Sequence, residues 1–547
     1  MYKADIIIVG GGLAGLAAAH EATNRGRKVL LVDQEGPQSL GGQAFWSLGG
    51  LFMVNTPEQR RMGIRDSHEL ALKDWMGSAR FDRPEDAMPQ KWANAYLDFA
   101  AGSMRGYLRE LGMRWFPVVG WAERGGAAAM GHGNSVPRFH ITWGTGEGIV
   151  APFVRRTLEA IDIGLLRLAF RHKVTTLEIS DGRATGISGH ILADDSAPRG
   201  AATNRSRVSD FTYQAESVLI TSGGIGGDHQ KVRDLWPVDR LGTPPQKMVA
   251  GVPDYVDGQM QDAAKAAGAD AINEDRMWHY CEGLRNWNPI WPNHGIRILP
   301  GPSAIWLDAM GDRMPPPCLP GFDTLSTLKR ILSTGHEHSW FILTQKIIEK
   351  EFALSGSEQN PDLTSGKWLN VLRERLGKGA TRAVEAFKEK GEDFVVADSL
   401  EALVAGMNRL TPDNPLELDH IRNQIAERDA PLTDPSASDE QISAIHHART
   451  YRGDKLIRTA KPHAILDPQN GPLIAVRLNI LTRKSLGGLH TNLESQVLRP
   501  DGTVFDGLYA AGEVAGFGGG GYHGYNALEG TFLGGCIFSG MTAGQNA

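Results

Sequence analysis

The chain has 547 residues, of which 41% are hydrophobic and 22% are charged, as is ordinary for a globular protein. A chain of this length is too long for one compact core, so we expect at least two domains. The net charge of −6 comes from 57 basic and 63 acidic residues without a long run of one sign, so the charge gives no electrostatic footprint for nucleic acid or for an anionic membrane surface.

Glycine is the unusual residue, with 66 copies, or roughly 12% of the chain compared with about 7% in an average protein. The three cysteines, Cys281, Cys318 and Cys536, are far apart and form no C-x-x-C pair, which favours a reducing compartment and gives no cysteine metal site. The N-terminal apolar run begins too early for a signal peptide and is too short to span a bilayer. We therefore expect a cytoplasmic protein without an integral membrane segment.

The chain opens with a pattern of strand, tight turn, helix and second strand. A short apolar run leads into Gly10, Gly12 and Gly15, spaced as G-x-G-x-x-G. The first glycine permits the turn, the second lets a pyrophosphate approach the helix N-terminus, and the third lets the helix pack closely on the sheet. A second apolar run, residues 28–32, ends at Asp33, whose carboxylate can hold ribose hydroxyls. This unit predicts a dinucleotide site but does not choose between NAD and FAD.

Further glycine turns follow along the chain. Glycine pairs stand at 41–42 and 49–50, and apolar strands end in glycine turns within residues 218–227 and 507–516. A single turn of this kind is an ordinary connection between a strand and a loop. Several in one chain favour a large, elongated cofactor.

In this order the motifs resemble the fumarate reductase/succinate dehydrogenase flavoprotein family, which includes the 3-ketosteroid dehydrogenases. The resemblance includes "SGGIGG", "VDGQMQDAAKAAGA", "SLGGLHTN" followed by "DGLYAAGEVAG", and the closing "GYNALEGTFLGG". It covers roughly residues 4–60, 138–160, 215–275 and 470–545.

The resemblance implies an α/β fold and FAD as the cofactor. The expected architecture is a Rossmann-like FAD-binding domain of the glutathione reductase type, formed by residues 1–280 and 470–547, with an inserted α+β cap, or catalytic, domain at 281–469. The cofactor-binding residues that it implies are Gly10, Gly12, Leu13, Ala14, Gly15, Asp33, Gln34, Gly41, Gly42, Gln43, Ala44, Gly49, Gly50, Val174, Ser222, Gly223, Gly512, Glu513, Asn526, Ala527 and Leu528.

The departures from the family pattern are informative. Where the dicarboxylate enzymes carry a histidine and an arginine that bind the substrate, this chain has Lys484 and Ala527. A site for fumarate or succinate is therefore not expected. Gln43 stands where succinate dehydrogenases carry a flavin-linking histidine, so we expect the FAD to be bound non-covalently.

One stretch resembles the ketosteroid branch more closely. "LGGLFMVNTPEQRRMGIRDSHELALKDWM" carries that branch's G-x-x-D-S pattern at Gly63, Asp66 and Ser67. Two tyrosines of the branch are missing, one near Trp121 and one near Gly321 or Phe322. The surviving tyrosine is taken to be Tyr522, so the ketosteroid pattern is incomplete.

The stretch "GFGGGGYHGYNALEG", residues 516–530, is the predicted catalytic segment. We expect a helix over 526–541 whose start points at the flavin, because helix N-terminal amides stabilise negative charge on a reduced ring. Gly518 to Gly521 would lie against that ring. The Tyr522 hydroxyl and the Asn526 backbone N–H would stabilise the enolate of a ketone substrate, as an oxyanion hole does.

The general base is left open between four residues. Tyr525 and His523 belong to the same stretch, and Tyr280 and His279 lie in the tryptophan-rich segment 276–295. That segment suits a flat apolar substrate, and it suits a domain-junction core equally well.

Three functions follow from this interpretation. The leading one is an FAD-dependent dehydrogenase that oxidises a CH–CH bond beside a carbonyl of a steroid-like or other bulky apolar ketone, with an unidentified electron acceptor or donor. The second is an enone or enoate reductase of the same family, which runs the reaction in reverse. The third is a non-catalytic flavoprotein.

In the inserted segment, residues 339–354 and 379–391 show helical spacing.

Overall fold

The structure, a computed structural model, describes residues 4–375, 377 and 379–547, so parts of the predicted domains at 1–3, 376 and 378 lie outside the described residues. The first predicted unit is confirmed in its order, with strand Ile6–Val9, helix Leu13–Asn24 and strand Val29–Val32. The apolar residues of both strands are buried, as continuous apolar runs in a parallel sheet should be.

A parallel sheet forms around these two strands. Its neighbours pair in register and in parallel, except for an antiparallel edge strand. Because parallel strands end at the same edge of a sheet, Gly10, Asp33, Thr221 and Gly512 all meet at its carboxyl edge. The strand order is Gln496–Leu498, Val504–Ala510, Ser217–Ile220, Ile6–Val9, Val29–Val32 and Leu166–Ala169.

A second, largely antiparallel sheet contains the inserted segment. Its longest strand, Leu473–Ser485, pairs with strands from both flanks. The division at 280 and 470 stays a prediction, although this long strand groups with the inserted segment and not with the parallel sheet. The strand order is Ile305–Leu307, His338–Thr344, Leu473–Ser485, Met277–Arg285, Gly295–Leu299 and Ala353–Leu354, and Val249–Ala250 and Phe394–Ala397 also pair with Leu473–Ser485.

Smaller sheets and helices complete the α/β fold, and the predicted fold class is confirmed. One sheet joins His172–Ser180, Arg183–Leu192 and Arg207–Gln214, and two short pairs join Ala271–Ile272 with Gly488–Leu489 and Gly50–Phe52 with Phe139–Ile141. The α-helices are Leu13–Asn24, Pro57–Arg61, His68–Ala79, Ala87–Ala101, Met104–Glu110, Thr145–Asp162, His229–Asp234, Val238–Leu241, Gln259–Ala266, Thr324–Ser333, Gln345–Glu351, Pro361–Thr364, Trp368–Arg375, Arg382–Lys390, Leu400–Leu410, Leu418–Asp429, Glu440–Ala448 and Thr531–Asn546.

The C-terminal helix, Thr531–Asn546, packs against the first helix of the chain. A Cβ atom on Gly540 would lie 2.4 Å from the Ala14 carbonyl oxygen, and one on Gly544 would lie 2.2 Å from that of Ala18. Glycine therefore lets the two helix backbones approach closely, which fixes the C-terminal helix beside the first glycine turn. No helix among the described residues is both long enough and apolar enough to cross a membrane.

Candidate active site

A long cavity follows the carboxyl edge of the parallel sheet. It brings together glycine turns that are separated by hundreds of residues in sequence. The predicted cofactor-binding residues that line it are Gly10, Gly12, Leu13, Ala14, Asp33, Gln34, Gly42, Gln43, Ala44, Gly49, Gly50, Val174, Ser222, Gly223, Gly512 and Glu513.

The three glycines of the first turn have different surroundings. A Cβ atom on Gly10 would lie 2.6 Å from the Thr221 carbonyl oxygen, and one on Gly15 would lie 2.1 Å from that of Gly10. At Gly12 the nearest atom, again the Thr221 carbonyl oxygen, is 4.0 Å away. Gly10 and Gly15 are thus required by the fold, whereas Gly12 leaves space for a ligand at the helix N-terminus.

Asp33 lies in this cavity with its carboxylate already oriented. One oxygen accepts the Gly11 backbone N–H at 2.7 Å and the other accepts that of Glu35 at 2.8 Å. Burial raises the pKa of Asp33 to about 6. Each oxygen keeps a lone pair for a further donor, so the side chain fits the predicted contact with ribose hydroxyls.

Two cavity-lining oxygen atoms have no hydrogen-bond partner among the described residues. They are the amide oxygen of Gln43 and the hydroxyl oxygen of Ser222, and both are buried. Buried polar atoms normally find hydrogen-bond partners, so these two indicate a polar ligand in the cavity. With the open space at Gly12, they fit the predicted FAD.

A charged cluster lines the same cavity, and we call Tyr280, Arg297, Lys484 and Glu529 the tyrosine cluster. The Tyr280 hydroxyl donates to Glu529 Oε1, and Lys484 Nζ donates to the Tyr280 oxygen at 2.7 Å. Arg297 donates to Glu529 Oε1 at 3.2 Å, and its guanidinium lies 4.0 Å from the centre of the Tyr280 ring. Tyr280 is therefore held between an anion and two cations.

Two buried carboxyl groups, Glu529 of this cluster and the neighbouring Glu123, have pKa values that shift in opposite directions. Burial raises the pKa of Glu529, but the charges of Lys484 and Arg297 outweigh it and lower the pKa to about 2. Burial and the Glu529 charge raise the pKa of Glu123 to about 8. These opposite shifts favour the ionised form of Glu529 and the protonated form of Glu123. Glu123 also accepts the Glu529 backbone N–H at 2.8 Å, which fixes the position of Glu529.

The proton positions of the other two cluster members follow from burial. Burial, together with the Glu529 charge, raises the pKa of Tyr280 well above its ordinary value, so the phenol is neutral. Burial lowers the pKa of Lys484 to about 8 against the opposing charge of Glu529. The cluster therefore holds a neutral phenol that donates to a carboxylate and accepts from an ammonium group.

The predicted catalytic residues of the C-terminal stretch do not line this cavity, and these assignments are corrected. Tyr522 is fully buried, and its hydroxyl donates to the Thr531 carbonyl at 2.6 Å. His523 is buried against Trp75, with Nε2 2.8 Å from the Thr531 hydroxyl. These aromatic side chains belong to the core because the chain after the glycines folds back under helix His68–Ala79.

Tyr525 and Asn526 also lie outside the cavity lining, and the role predicted for the Asn526 backbone N–H stays a prediction. The Tyr525 hydroxyl donates to Asp82 at 2.7 Å, and its ring packs on Arg276 outside the cavity. The Asn526 side chain donates to Asp323 at 3.2 Å. His279 is also buried away from the cavity, beside Trp236. Of the four candidate bases, only Tyr280 lines the cavity.

The helix that was predicted over 526–541 begins later, at Thr531, with Gly530 as its N-cap. Ala527 and Leu528, which were predicted to bind the cofactor, precede the helix and are buried in the core, so they do not line the cavity. Gly530 does line it. Gly15 and Gly41 also lie outside the lining. Gly41 instead packs against Val150, where a Cβ atom would lie 2.2 Å away.

The four consecutive glycines serve protein packing. Their φ angles lie between 68° and 144°, which favours glycine. A Cβ atom on Gly518 would lie 2.5 Å from the Trp92 ring, and one on Gly521 would lie 2.9 Å from the Leu486 carbonyl oxygen. The prediction that these glycines lie against the flavin is wrong, because Trp92 and the neighbouring chain occupy that space.

Arg297 and Glu529 were not predicted as site residues. Glu529 had a signal in the sequence, since it is the only charged residue other than histidine in residues 516–547. A lone carboxylate in an apolar, glycine-rich segment requires a buried partner. Arg297 offered no comparable signal, because its position beside Glu529 depends on the second sheet.

Replacing Tyr522 by phenylalanine tests its structural role. We expect Tyr522→Phe to lower the free energy of unfolding by about 1–3 kcal/mol, because the Thr531 carbonyl loses its buried donor. Turnover and bound flavin should change little. Chemical denaturation and steady-state turnover are the measurements, with Tyr509→Phe as the matched control, since the Tyr509 hydroxyl donates to a carbonyl at the chain end. A roughly 10²-fold loss of turnover without loss of stability would restore the catalytic assignment.

Comparison with known proteins gives a consistent result. Residues 5–533 match the family described as FAD binding domain. A KsdD-like steroid dehydrogenase of Mycobacterium tuberculosis is 57% identical over 544 residues, which is 100% of this chain and 95% of that protein.

Two solved structures share the fold. The 3-ketosteroid Δ1-dehydrogenase of Sterolibacterium denitrificans, in complex with 1,4-androstadiene-3,17-dione, gives a TM-score of 0.69 at 16% identity and covers 100% of this chain and 99% of that one. The 3-ketosteroid Δ4-(5α)-dehydrogenase of Rhodococcus jostii RHA1, in complex with 4-androstene-3,17-dione, gives 0.64 at 19% identity over 100% and 96%. At such identities the likeness concerns the fold alone.

Proposed function

Because this chain belongs to the FAD binding domain family, we propose that it is an FAD-dependent dehydrogenase that oxidises a CH–CH bond beside the carbonyl of a steroid-like ketone. The relation to KsdD-like steroid dehydrogenases over the whole chain supports the reaction class and the apolar substrate. The observation that carries the chemistry is the tyrosine cluster in the wall of the cavity.

The cofactor is FAD, and the residues that would hold it have separate roles. Gly12 leaves room at the helix N-terminus, Asp33 offers its carboxylate to hydroxyls, and Gln43 and Ser222 offer unpartnered polar atoms. When bound, FAD supplies the two-electron acceptor for the oxidation. We propose that it is held non-covalently, with the Gln43 amide in the cavity wall. Acid precipitation tests this, since FAD should then appear in the supernatant and not with the precipitated chain.

Tyr280 is the proposed proton acceptor for the substrate's α-carbon. Its oxygen can take that proton while its own proton moves to Glu529, to which it is already hydrogen bonded. The Lys484 ammonium group, 2.7 Å from the same oxygen, stabilises negative charge that develops there. Arg297 holds Glu529 and the Tyr280 ring in place. Removal of the α-proton by this route prepares the substrate for loss of the hydride from its β-carbon.

An anaerobic flavin bleaching experiment tests the function. The yellow holoenzyme should lose its visible flavin absorbance when mixed with 4-androstene-3,17-dione or a saturated 3-ketosteroid. The same groups would deliver a proton in the reverse direction, so dithionite-reduced enzyme is also mixed with enones. Reoxidation by several enones, with bleaching by no ketone, would establish the reductase instead. No response to either class would favour a non-catalytic flavoprotein.

Turnover should depend on the charge of Lys484. Because its pKa is about 8, the ammonium group loses its proton as the pH rises through that value, and the Tyr280 oxygen loses its cation. We expect kcat/KM to be level below this pH and to fall above it. A pH profile of wild type and Lys484→Met is the measurement. The variant should be slower at neutral pH and should lack this alkaline limb; an unchanged limb would assign it to another group.

Succinate and fumarate should be neither substrates nor tight ligands. Ala527 is buried outside the cavity, and Lys484 is committed to Tyr280. Arg297 already faces the carboxyl groups of Glu123, Glu282 and Glu529. Neither cation is therefore free to clamp two carboxylates of a small substrate. Dye reduction with succinate at a rate comparable with that of a ketosteroid would contradict this expectation.

The electron acceptor and the cytoplasmic location stay predictions. Spectroscopic reoxidation of the substrate-reduced enzyme by quinones, oxygen and soluble electron carriers would identify the class of acceptor.

A further inference from the structure

A surface patch beside the cavity combines exposed apolar side chains with cations, and we call it the lipid patch. It consists of the outer face of helix Trp368–Arg375 and the turn Asp454–Arg458. Large apolar side chains on this surface remain in contact with water, most of all Leu369, which is 80% exposed. The others are Trp368, Leu372, Leu456 and Ile457.

The two segments of the lipid patch meet on a common support. The Trp368 ring centre lies 5.4 Å from that of Phe116, and the Tyr451 hydroxyl donates to the Val119 carbonyl at 2.7 Å. Arg458 donates to the Leu299 carbonyl at 3.0 Å. The helix and the turn are therefore neighbours around residues 116–119 and Leu299.

The patch continues inward to the cavity wall. Leu48, Phe139 and Leu299 line the cavity, and they pack in one apolar cluster with Val371 from the buried face of the helix. Trp143 belongs to the same cluster, and its ring centre is 4.6 Å from that of Trp368. An unbroken series of apolar contacts thus connects exposed side chains with the proposed substrate site.

Cations surround the apolar side chains. Lys367, Arg373, Arg452 and Lys455 are exposed on or next to the two segments. None of the four forms an ion pair with another residue in the part of the chain that the structure describes. The charge at the lipid patch is therefore positive. The net charge of the whole chain, −6, does not reveal this local excess of cations. Exposed tryptophan and leucine flanked by lysine and arginine match the interface of an anionic bilayer.

We propose that the lipid patch seats the protein on an anionic membrane surface, from which an apolar substrate passes along the cluster into the cavity. The second clause rests on the proposed function, whereas the first rests on the surface alone. Apolar side chains enter the boundary between headgroups and acyl chains, and the surrounding cations contact the lipid phosphates. A patch of this kind gives reversible binding, since it lacks the apolar area of a spanning helix.

Vesicle sedimentation with the FAD-loaded enzyme tests the seating. Vesicles contain phosphatidylcholine with or without one quarter phosphatidylglycerol, at low and high salt. We expect sedimentation with the anionic vesicles, weaker binding at high salt, and little binding to pure phosphatidylcholine. Leu369→Glu should abolish binding. Lys367→Ala and Arg373→Ala should each weaken it about fivefold. Ile163→Glu is the matched control, because Ile163 is an apolar residue away from the patch that is 71% exposed, close to the 80% of Leu369.

The outcomes separate this proposal from the proposed function. Flavin content and turnover with substrate in free solution should be the same in Leu369→Glu and wild type, whereas turnover with a ketosteroid dissolved in anionic vesicles should fall only in the variant. Equal sedimentation of Leu369→Glu and wild type would overturn the seating. So would a concentration-dependent dimer, seen by analytical ultracentrifugation, that this variant dissociates, because the patch would then bind a second copy. Vesicle binding by an enzyme that bleaches with no ketone would leave the seating intact and refute the function.

Discussion

Replacing Tyr280 by phenylalanine is expected to lower turnover about 10²- to 10⁴-fold while the enzyme keeps its FAD, because the variant loses the oxygen that exchanges protons. The phenylalanine ring can keep its position under Arg297. Glu529 Oε1 still accepts from Trp278 at 3.1 Å and from Arg297 at 3.2 Å, so removing the hydroxyl leaves no unpaired buried anion. Flavin absorbance, thermal stability and substrate-dependent dye reduction are the measurements.

Tyr525→Phe is the matched control for this experiment. It removes the same hydroxyl group from a tyrosine whose oxygen contacts Asp82 outside the cavity. We expect the control to turn over like wild type. The assignment of Tyr280 fails if Tyr280→Phe retains wild-type turnover with full flavin occupancy. A loss confined to Tyr525→Phe would return the base to the C-terminal stretch.

Gly12→Val is expected to give a folded but colourless protein. The Gly12 backbone has φ −72° and ψ 179°, an extended conformation that valine adopts readily. A Cβ atom there would meet nothing closer than 4.0 Å, so the branched side chain would occupy the cavity and not the protein interior. Loss of FAD would follow from exclusion of the pyrophosphate at the helix N-terminus. Flavin released per chain on acid denaturation is the measurement.

Two other glycine variants serve as controls for Gly12→Val. Gly106→Val changes a glycine that is exposed and has no neighbour within 4 Å, so it should keep FAD without loss of helix stability, because valine is a better helix former than glycine. Gly15→Val should instead prevent folding, because even a Cβ atom would lie 2.1 Å from the Gly10 carbonyl oxygen. A yellow Gly12→Val protein with normal flavin content would show that the pyrophosphate binds elsewhere.

The sequence could predict the parts of this protein that depend on neighbouring residues. The roles predicted for Gly10, Gly12, Gly15 and Asp33 lie within one strand–helix–strand unit, in which spacing along the chain fixes spacing in the structure. The resemblance to a flavoprotein family then predicted FAD as the ligand, and the matching family confirms that cofactor. The residues that form a strand and the turn after it are neighbours in sequence, so these elements could be predicted without coordinates.

Residues 339–354 show where local periodicity fails. Their spacing suggested a helix, yet His338–Thr344 is a strand and only Gln345–Glu351 is helical. The strand forms because it pairs along its whole length with Leu473–Ser485, more than a hundred residues later in the chain. Pairing between distant segments overrides a weak local preference.

The sequence alone determined the glycine turns and Asp33 of the predicted FAD site, whereas only the tertiary structure decided which side chains meet at the proposed catalytic end of the cavity. Tyr280, Arg297, Lys484 and Glu529 come from different segments, and strand pairing in the second sheet brings the first three together. Tyr522 is close in sequence to residues that line the cavity, but its side chain points into the core, where Trp75 and Tyr96 pack against it. The direction of a side chain depends on what the rest of the chain packs against it, and that information is not contained in the spacing of residues.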